Sequence, residues 1–360
     1  MDTRQLFAEL TVVELASVLA GPAVGMFFAE LGAKVIKIEN KRTGGDTTRK
    51  WKLPEENPQT PYSVYYHSVN WQKESIFLDL GKKEDYDSLI SIVKTADILI
   101  SNYKADSGRR LGVDYETLAA KNPALIYGQI SAYGSDNPKP GFDVVIQAET
   151  AWISMNGEPN RTPVKLPVAL MDLLTAHQLK EGILVALIQR TRTGRGCKVS
   201  ASLFDSAVAS LANQAANWLN LGKIPQPMGS QHPNIAPYGD TFATKDGRWV
   251  ITSAGTPKQY EGLLACLELE NLKEDQRFAS NALRLQHREA LNVHLSEAFA
   301  RFESADLLER CHQQGVPVAP IQDMQELFER QEAQALVLEE RMADGYLSKR
   351  VKTVVFELGE

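Results

Sequence analysis

Cysteine is scarce in this chain: Cys197, Cys266 and Cys311 are all that 360 residues contain. They stand far apart, with no CxxC pair. That excludes a disulfide framework and suits a reducing cytosol. Basic charge is not in surplus either. Lys and Arg number 39 against 45 Asp and Glu, a formal net charge of −6, so no overall positive field favours nucleic acid or an anionic membrane. Any anion site must be local. No run approaches the roughly 18 uninterrupted apolar residues of a membrane span, and the opening MDTRQLFAEL lacks a signal-peptide core. The expected setting is the cytoplasm, with neither nucleic acid nor membrane as partner. The histidines (His67, His177, His232, His287, His294 and His312) never fall at HxxxH or HxH spacing beside an acid, so no metal site is expected. GxSxG is missing too, which leaves a serine hydrolase unsupported.

What is present describes a soluble α/β protein large enough for more than one lobe. TVVELA (11–16) and KVIKIE (34–39) are β-branched runs flanking a helical stretch from Pro22 to Leu31, with Gly32 where a helix cap belongs. SIFLDL (75–80), DILIS (97–101) and ALIYGQIS (124–131) continue the strand series. Helical spacing over 84–96 and a second helical segment, LGVDYETLAAKN, alternate with them. Such alternation predicts a parallel, doubly wound sheet. Past residue 220 the texture changes to a hairpin over 239–255 turning at Lys245-Asp246-Gly247, helices over 258–268, 287–301 and 304–314, and an extended PVAPI at 317–321. The expected layout is a large domain over 1–215, a small α+β domain over 216–325, and a tail over 326–360 whose VKTVVFEL returns to the large domain.

The first strand-to-helix junction, ASVLAGPAVGMFF (16–28), resembles a dinucleotide fingerprint with Glu39 as the ribose acid. Its glycines do not fit: Gly21 and Gly25 make GxxxG rather than GxGxxG. Pro22 suits the first helical position, and the helix start can still receive a phosphate or an acyl ligand. The basic cluster Arg190–Arg195 suits a solvated helix C-terminus. Asp172 is harder to place. The run PVALM delivers it to the mouth of a long apolar-faced helix, where an acid is either an N-cap or a positioned nucleophile. Its small apolar flanks predict a poorly hydrated carboxylate.

A set of segments spread along the chain bears on that choice. They are LASVLAGPAVGMFFAELGAKVIKIE (15–39), GGDTTRKW (44–51), NWQKESIFLDL (70–80), the long stretch 96–134, GFDVVIQAETAWISMNG (141–157), PVALMDLL (167–174), RTRTGRGCKVSASLFDSAVA (190–209), HPNIAPY (232–238) and GVPVAPI (315–321). In this order and spacing the chain resembles the family III CoA-transferases, the group of the formyl-CoA and carnitine CoA-transferases. The resemblance implies a Rossmann-like doubly wound large domain, a smaller α+β domain, and two ring-like subunits interlinked as a homodimer. It implies transfer of coenzyme A from an acyl-CoA to a free carboxylic acid, with CoA as substrate and no permanently bound cofactor. Asp172 falls on the family's nucleophile, and nearby N–H donors are expected to keep it ionised. Val18, Leu19 and Ala20 match the loop that contacts CoA. Arg49 and Lys73, with Asn102 and Lys104, match its cofactor-binding positions, the cations facing phosphates. Asp143 and Gln147 match the segment beside the acyl group. The chain departs from the family in having Asn40 after the second-strand acid, Ala151 and Ala176 at two usual glycines, no glycine-rich lid, and an end at VVFELGE. An α-methylacyl-CoA racemase of the same superfamily would need a histidine where Phe142 stands, and a CoA-binding protein without transferase activity is the reading from another class.

Overall fold

Six short strands, the central four rich in Val, Ile and Leu, form one sheet in the computed structural model, which describes residues 5–135, 137–342 and 345–359. In chain order the elements are β1 (Thr11–Leu15), α1 (Ala20–Glu30), β2 (Lys34–Asn40), α2 (Val64–His67), β3 (Lys73–Leu78), α3 (Lys83–Val93), β4 (Ile98–Ser101), α4 (Ala105–Leu111), α5 (Tyr115–Ala119), β5 (Ile126–Ser131), α6 (Asp143–Glu149), α7 (Leu170–Thr193) and β6 (Lys198–Ser202). In space the strands run β3-β2-β1-β4-β5-β6, every neighbouring pair parallel. This is the doubly wound order, in which the winding reverses between β1 and β4.

Strand alternation divides the apolar residues between two cores. Val12, Val35, Ile98, Ile100 and Ile126 join the face that packs α1 and α7. Val13, Ile36, Leu99 and Tyr127 join the face that packs Leu89 and Val93 of α3. Burial on both faces is why these strands read as continuous hydrophobic runs rather than alternating ones. The segment 111–122 is less helical than its pattern predicts. Gly112 ends α4 in a left-handed cap, and Asp114 starts the five-residue α5 by accepting from the Thr117 N–H.

The chain divides into two units, the smaller one formed by Ser154–Val164 and Gln226–Ala333 and the larger by the remainder. Residues 154–164 thus group with the smaller unit, although chain order alone would put them in the larger. The smaller unit holds the hairpin β7 (Tyr238–Ala243) and β8 (Trp249–Ser253), with β9 (Val318–Pro320) antiparallel beside β8. Its core gathers Phe242, Leu263, Leu264 and Phe299. In the larger unit the C-terminal stretch forms a second hairpin, β10 (Val337–Arg341) and β11 (Leu347–Val351). Val354 then enters the α1/α7 core, and the buried Glu30 carboxylate accepts the Thr353 and Val354 N–H groups at 2.9 and 2.8 Å. Among the described residues no helix is long and apolar enough to cross a membrane.

Candidate active site

Parallel sheets of this order open a crevice at the carboxyl ends of the strands where the winding reverses. Here a cavity of about 620 Å³ lies at the ends of β1, β2 and β4, lined by Ser17, Asp46, Lys50, Asn102, Lys104 and Arg110 among others. A smaller recess of about 180 Å³ adds Arg42 and shares Arg110. Besides Lys37, which Glu14 holds, Lys50, Lys104, Arg110 and Arg42 gather at one place in a chain of net negative charge. Such a gathering suits an anion locally, where the overall charge does not. Asn102 and Lys104, cofactor-binding positions by the resemblance, line this cavity.

Arg49 and Lys73 do not. The sequence reading offered both to phosphates, but each is already spent on a carboxylate. The Arg49 guanidinium pairs with Glu39 through both arms and lies 3.9 Å from the Tyr66 ring. Lys73 is fully enclosed, its Nζ bound to Glu14 at 2.7 Å, the Pro22 carbonyl at 2.8 Å and Asn70 at 3.1 Å. Glu14 also takes Lys37 at 2.7 Å, and Lys37 in turn meets Asp46 at 3.1 Å. Burying an unpaired charge is costly, so each member of this chain needs the next. Burial favours protonating Glu39, yet the Arg49 hydrogen bonds and the Asp46 N–H outweigh it and hold the carboxyl at about 2. The GxxxG glycines have the same origin. A Cβ on Gly25 would sit 1.9 Å from Glu14 Oε2, and one on Gly21 would sit 2.2 Å from the Ala16 Cβ. They admit α1 against β1 and its ion pair, a packing reason and not a dinucleotide one. Pro22 lies in the first turn but two places later than expected, because α1 opens at Ala20.

Val18, Leu19 and Ala20 form the turn from β1 into α1. Val18 adopts φ +74°, a left-handed conformation seldom taken by a β-branched residue. Its N–H points into the Asp46 carboxylate, and the Asn102 amide brackets Ser17.

Among the described residues Asp172 is neither an N-cap nor held by N–H donors. Ala169 is the cap residue of α7, which places Asp172 third in the helix. The helix N–H that an acid would take, on Met171, goes instead to Asp143 Oδ1 at 2.8 Å. The other Asp143 oxygen accepts from Gln147 at 2.6 Å, and Gln147 Oε1 accepts the Leu166 N–H at 2.9 Å. Asp143 and Gln147 thus latch the segment entering α7. Among the described residues nothing donates a hydrogen bond to Asp172. Burial first, and the Asp143 charge second, raise its carboxyl to about 7. The expectation of a carboxylate kept ionised by donors is therefore corrected. The Tyr65 phenol is raised by burial, then by Asp172 and Asp143, which sets it in the same electrostatic neighbourhood. Tyr65 packs edge-on against Trp51 at 5.1 Å.

The profile of CoA-transferase family III matches residues 7–360. This chain belongs to that family. It is 36% identical over 354 residues to a succinate–glutarate CoA-transferase of Agrobacterium fabrum, covering 96% of this chain and 88% of that one. It is 33% identical to a succinyl-CoA:mesaconate CoA-transferase of Haloarcula hispanica, across 89% of this chain and 81% of the other. A crystal structure of a CaiB/BaiF family protein from Brucella suis superposes with a TM-score of 0.82 at 36% identity, covering 97% and 91%. The protein is accordingly an enzyme of the CoA-transferase class, whose substrates are CoA thioesters. Among the described residues no cluster of His, Cys, Asp and Glu could hold a metal ion.

Several residues of this family III enzyme's candidate site escaped the sequence reading. Lys50 and Arg110 line the cavity, and a rule that cations following a strand end converge at the winding reversal would have found them. Tyr65 had no such signal, and Asp46 had only its place in GGDTTRKW. The first reaches the Asp172 region, and the second the β1 turn, only through the long excursion between β2 and β3.

Proposed function

We propose that this enzyme moves coenzyme A from an acyl-CoA to a free carboxylic acid through covalent intermediates on Asp172. The observation that carries this reading is the state of Asp172: part-buried, unpartnered among the described residues, and raised to about 7. A carboxylate without hydrogen bonds keeps its lone pairs for attack, and near neutral pH a large share of the enzyme holds it ionised. One Asp172 oxygen adds to the thioester carbonyl carbon, the C–S bond breaks, and coenzyme A leaves as thiolate from the mixed anhydride. The thiolate attacks the Asp172 carboxyl carbon, releases the donor acid as carboxylate and forms an aspartyl thioester. The acceptor carboxylate then displaces the thiolate into a second anhydride, and the thiolate takes the new acyl group, freeing Asp172. No electrons change hands and no net proton is needed. Water would divert either intermediate to hydrolysis, which suits a poorly hydrated site.

In this reading Lys50, Lys104, Arg110 and Arg42 take the phosphate end of coenzyme A with Asn102 beside them. Val18, Leu19 and Ala20 carry the thioester arm. Asp143 and Gln147 orient the start of α7 next to the acyl group. The acids named for the relatives above, succinate, glutarate and mesaconate, make short dicarboxylates the first acceptors to try. We also propose that a second copy completes the protein as an interlinked homodimer. The helix Ala212–Leu221 has no buried residue, and it exposes Trp218, Leu219 and Leu221, an apolar face suited to a partner of the same chain. A cytoplasmic setting fits the three free cysteines.

The test is transfer from succinyl-CoA to glutarate, followed by mass mapping of an adduct on Asp172 when acceptor is withheld. Asp172→Ala should bind coenzyme A yet transfer nothing. Full activity in that variant would remove the nucleophile assignment. Exchange of an α-proton with deuterated water, without any acceptor, would instead speak for a racemase, though Phe142 offers no base.

A further inference from the structure

The turn between β1 and α1 is held against its own backbone preference, and we infer that Asp46 is the positioning residue that holds it for the thioester. The inference rests on the reading that Val18, Leu19 and Ala20 contact coenzyme A. Left to itself a β-branched residue abandons the left-handed region, and it stays only where its surroundings over-determine it. Here three side chains from three places do so. The Ala16 carbonyl accepts from Lys37 Nζ at 2.8 Å. The Ser17 N–H and carbonyl are both bound by the Asn102 amide, at 3.2 and 2.9 Å. The Val18 N–H, at φ +74°, lies 3.3 and 3.2 Å from the two Asp46 oxygens. One residue later the Leu19 carbonyl already accepts the Ala23 N–H at 2.8 Å, so α1 begins immediately after the turn.

Asp46 is rigid enough for the task. It is 4% exposed and caps the turn Thr47–Lys50 through the Thr48 N–H, with the Thr48 hydroxyl at 2.9 Å and Lys37 at 3.1 Å. Its own N–H donates to Glu39 at 2.7 Å. The Val18 N–H is therefore occupied internally and not offered to a ligand; what Asp46 supplies is the direction in which Leu19 and Ala20 leave the strand. Of the three holding side chains, Lys37 also supports Glu14, and Asn102 grips Ser17; Asp46, which lines the cavity as Asn102 does, is the one bound to Val18 itself, so the glycine rescue marks its positioning role. Asp46 can be removed while Lys37 keeps Glu14.

The experiment is a rescue series with donor and acceptor kinetics. Asp46→Ala should raise KM for the acyl-CoA donor roughly tenfold, the scale set by the strain of one left-handed non-glycine residue. KM for the acceptor acid should stay within about twofold. Glycine accepts positive φ without strain, so adding Val18→Gly to Asp46→Ala should recover most of the donor KM. Val18→Gly alone supplies the donor KM against which the double variant is read. A merely structural Asp46 would lower thermal stability without moving donor KM, and glycine would rescue nothing; that outcome overturns the inference. If Asp46→Ala does not fold, Asp46→Asn, which loses the Lys37 ion pair but keeps an acceptor, should show an intermediate donor KM under the same criterion. Hydrogen exchange of residues 16–20 with and without coenzyme A separates the two levels of the claim. Without protection in the wild type the loop-contact reading fails, and the inference with it. With protection but an unchanged donor KM in the Asp46 variants, the inference alone fails.

Discussion

Asp172→Asn is expected to stabilise this protein, and to do so increasingly as pH rises above about 5. In the folded chain, burial first and the Asp143 charge second lift the Asp172 carboxyl from 3.8 to about 7. Unfolded, it titrates in the ordinary range. Between those values the native state retains a proton that the unfolded state has released, so stability falls as pH rises through the window, and the penalty is complete above it. Roughly three pH units at about 1.4 kcal/mol each set a ceiling of about 4 kcal/mol. Asparagine matches the shape of the protonated acid and carries no such penalty. With an unfolding entropy of about 2.1 cal/mol/K per residue, 360 residues convert that ceiling into about 5 °C. Thermal melts of both proteins at constant ionic strength should nearly coincide around pH 4.5 and separate by up to about 5 °C near pH 8, the variant melting higher. A separation that does not depend on pH, or a variant that melts lower near pH 8, would refute the claim that folding strains this carboxylate.

The same group sets the pH dependence of turnover. If the carboxylate is the nucleophile, kcat/KM should climb to a plateau through about pH 7, and Asp143→Asn, by removing the nearby charge, should move that limb to lower pH. Lys73→Met breaks an enclosed ion pair and should cost about 3–5 kcal/mol in denaturant melts while donor KM stays within about twofold. Arg110→Ala at the cavity wall should do the reverse, raising donor KM with a salt-dependent effect and barely changing stability. Gly25→Ala forces a methyl to 1.9 Å from Glu14 Oε2. It should yield little folded protein, or lower stability by about 3 kcal/mol or more; a wild-type melting temperature would contradict the packing described for α1.

Patterns with a period were legible in the sequence, and charges with a partner far along the chain were not. Five of the six parallel strands follow from apolar runs, and alternate residues fill two cores, as Val12 and Val13 do on opposite faces of β1. The local pattern at Asp172 left an N-cap and a nucleophile open, and its reading as a nucleophile came from the family resemblance. Lys73 was misjudged for a physical reason. Its neighbours in the chain are polar, and nothing local reveals that Glu14, 59 residues away, encloses it. Arg49 misled in the same way through Glu39. The positive φ of Val18 left no trace in the sequence, since it is imposed by Asp46, Asn102 and the helix that follows.

The start of α7 faces two demands that no single acid meets. The helix end leaves N–H groups to be satisfied, and an acid that satisfies one becomes well stabilised and a poor nucleophile. A transferase nucleophile needs lone pairs that are free and a modest cost of ionisation. On the proposed reading the two tasks are divided. Asp143, on α6, takes the Met171 N–H and is fixed by Gln147, while Asp172, one residue beyond Met171, has no donor among the described residues. The helix dipole still favours a negative charge in this first turn, by about 0.3–1 kcal/mol, less than one pH unit. Burial and Asp143 together move Asp172 from 3.8 to about 7 in the other direction, so the dipole loses and the carboxyl remains poised near neutrality. A variant that gives the Asp172 carboxylate a donor should therefore lower its titration point and slow transfer together. Faster transfer accompanying a lower titration point would show that the absence of donors is incidental.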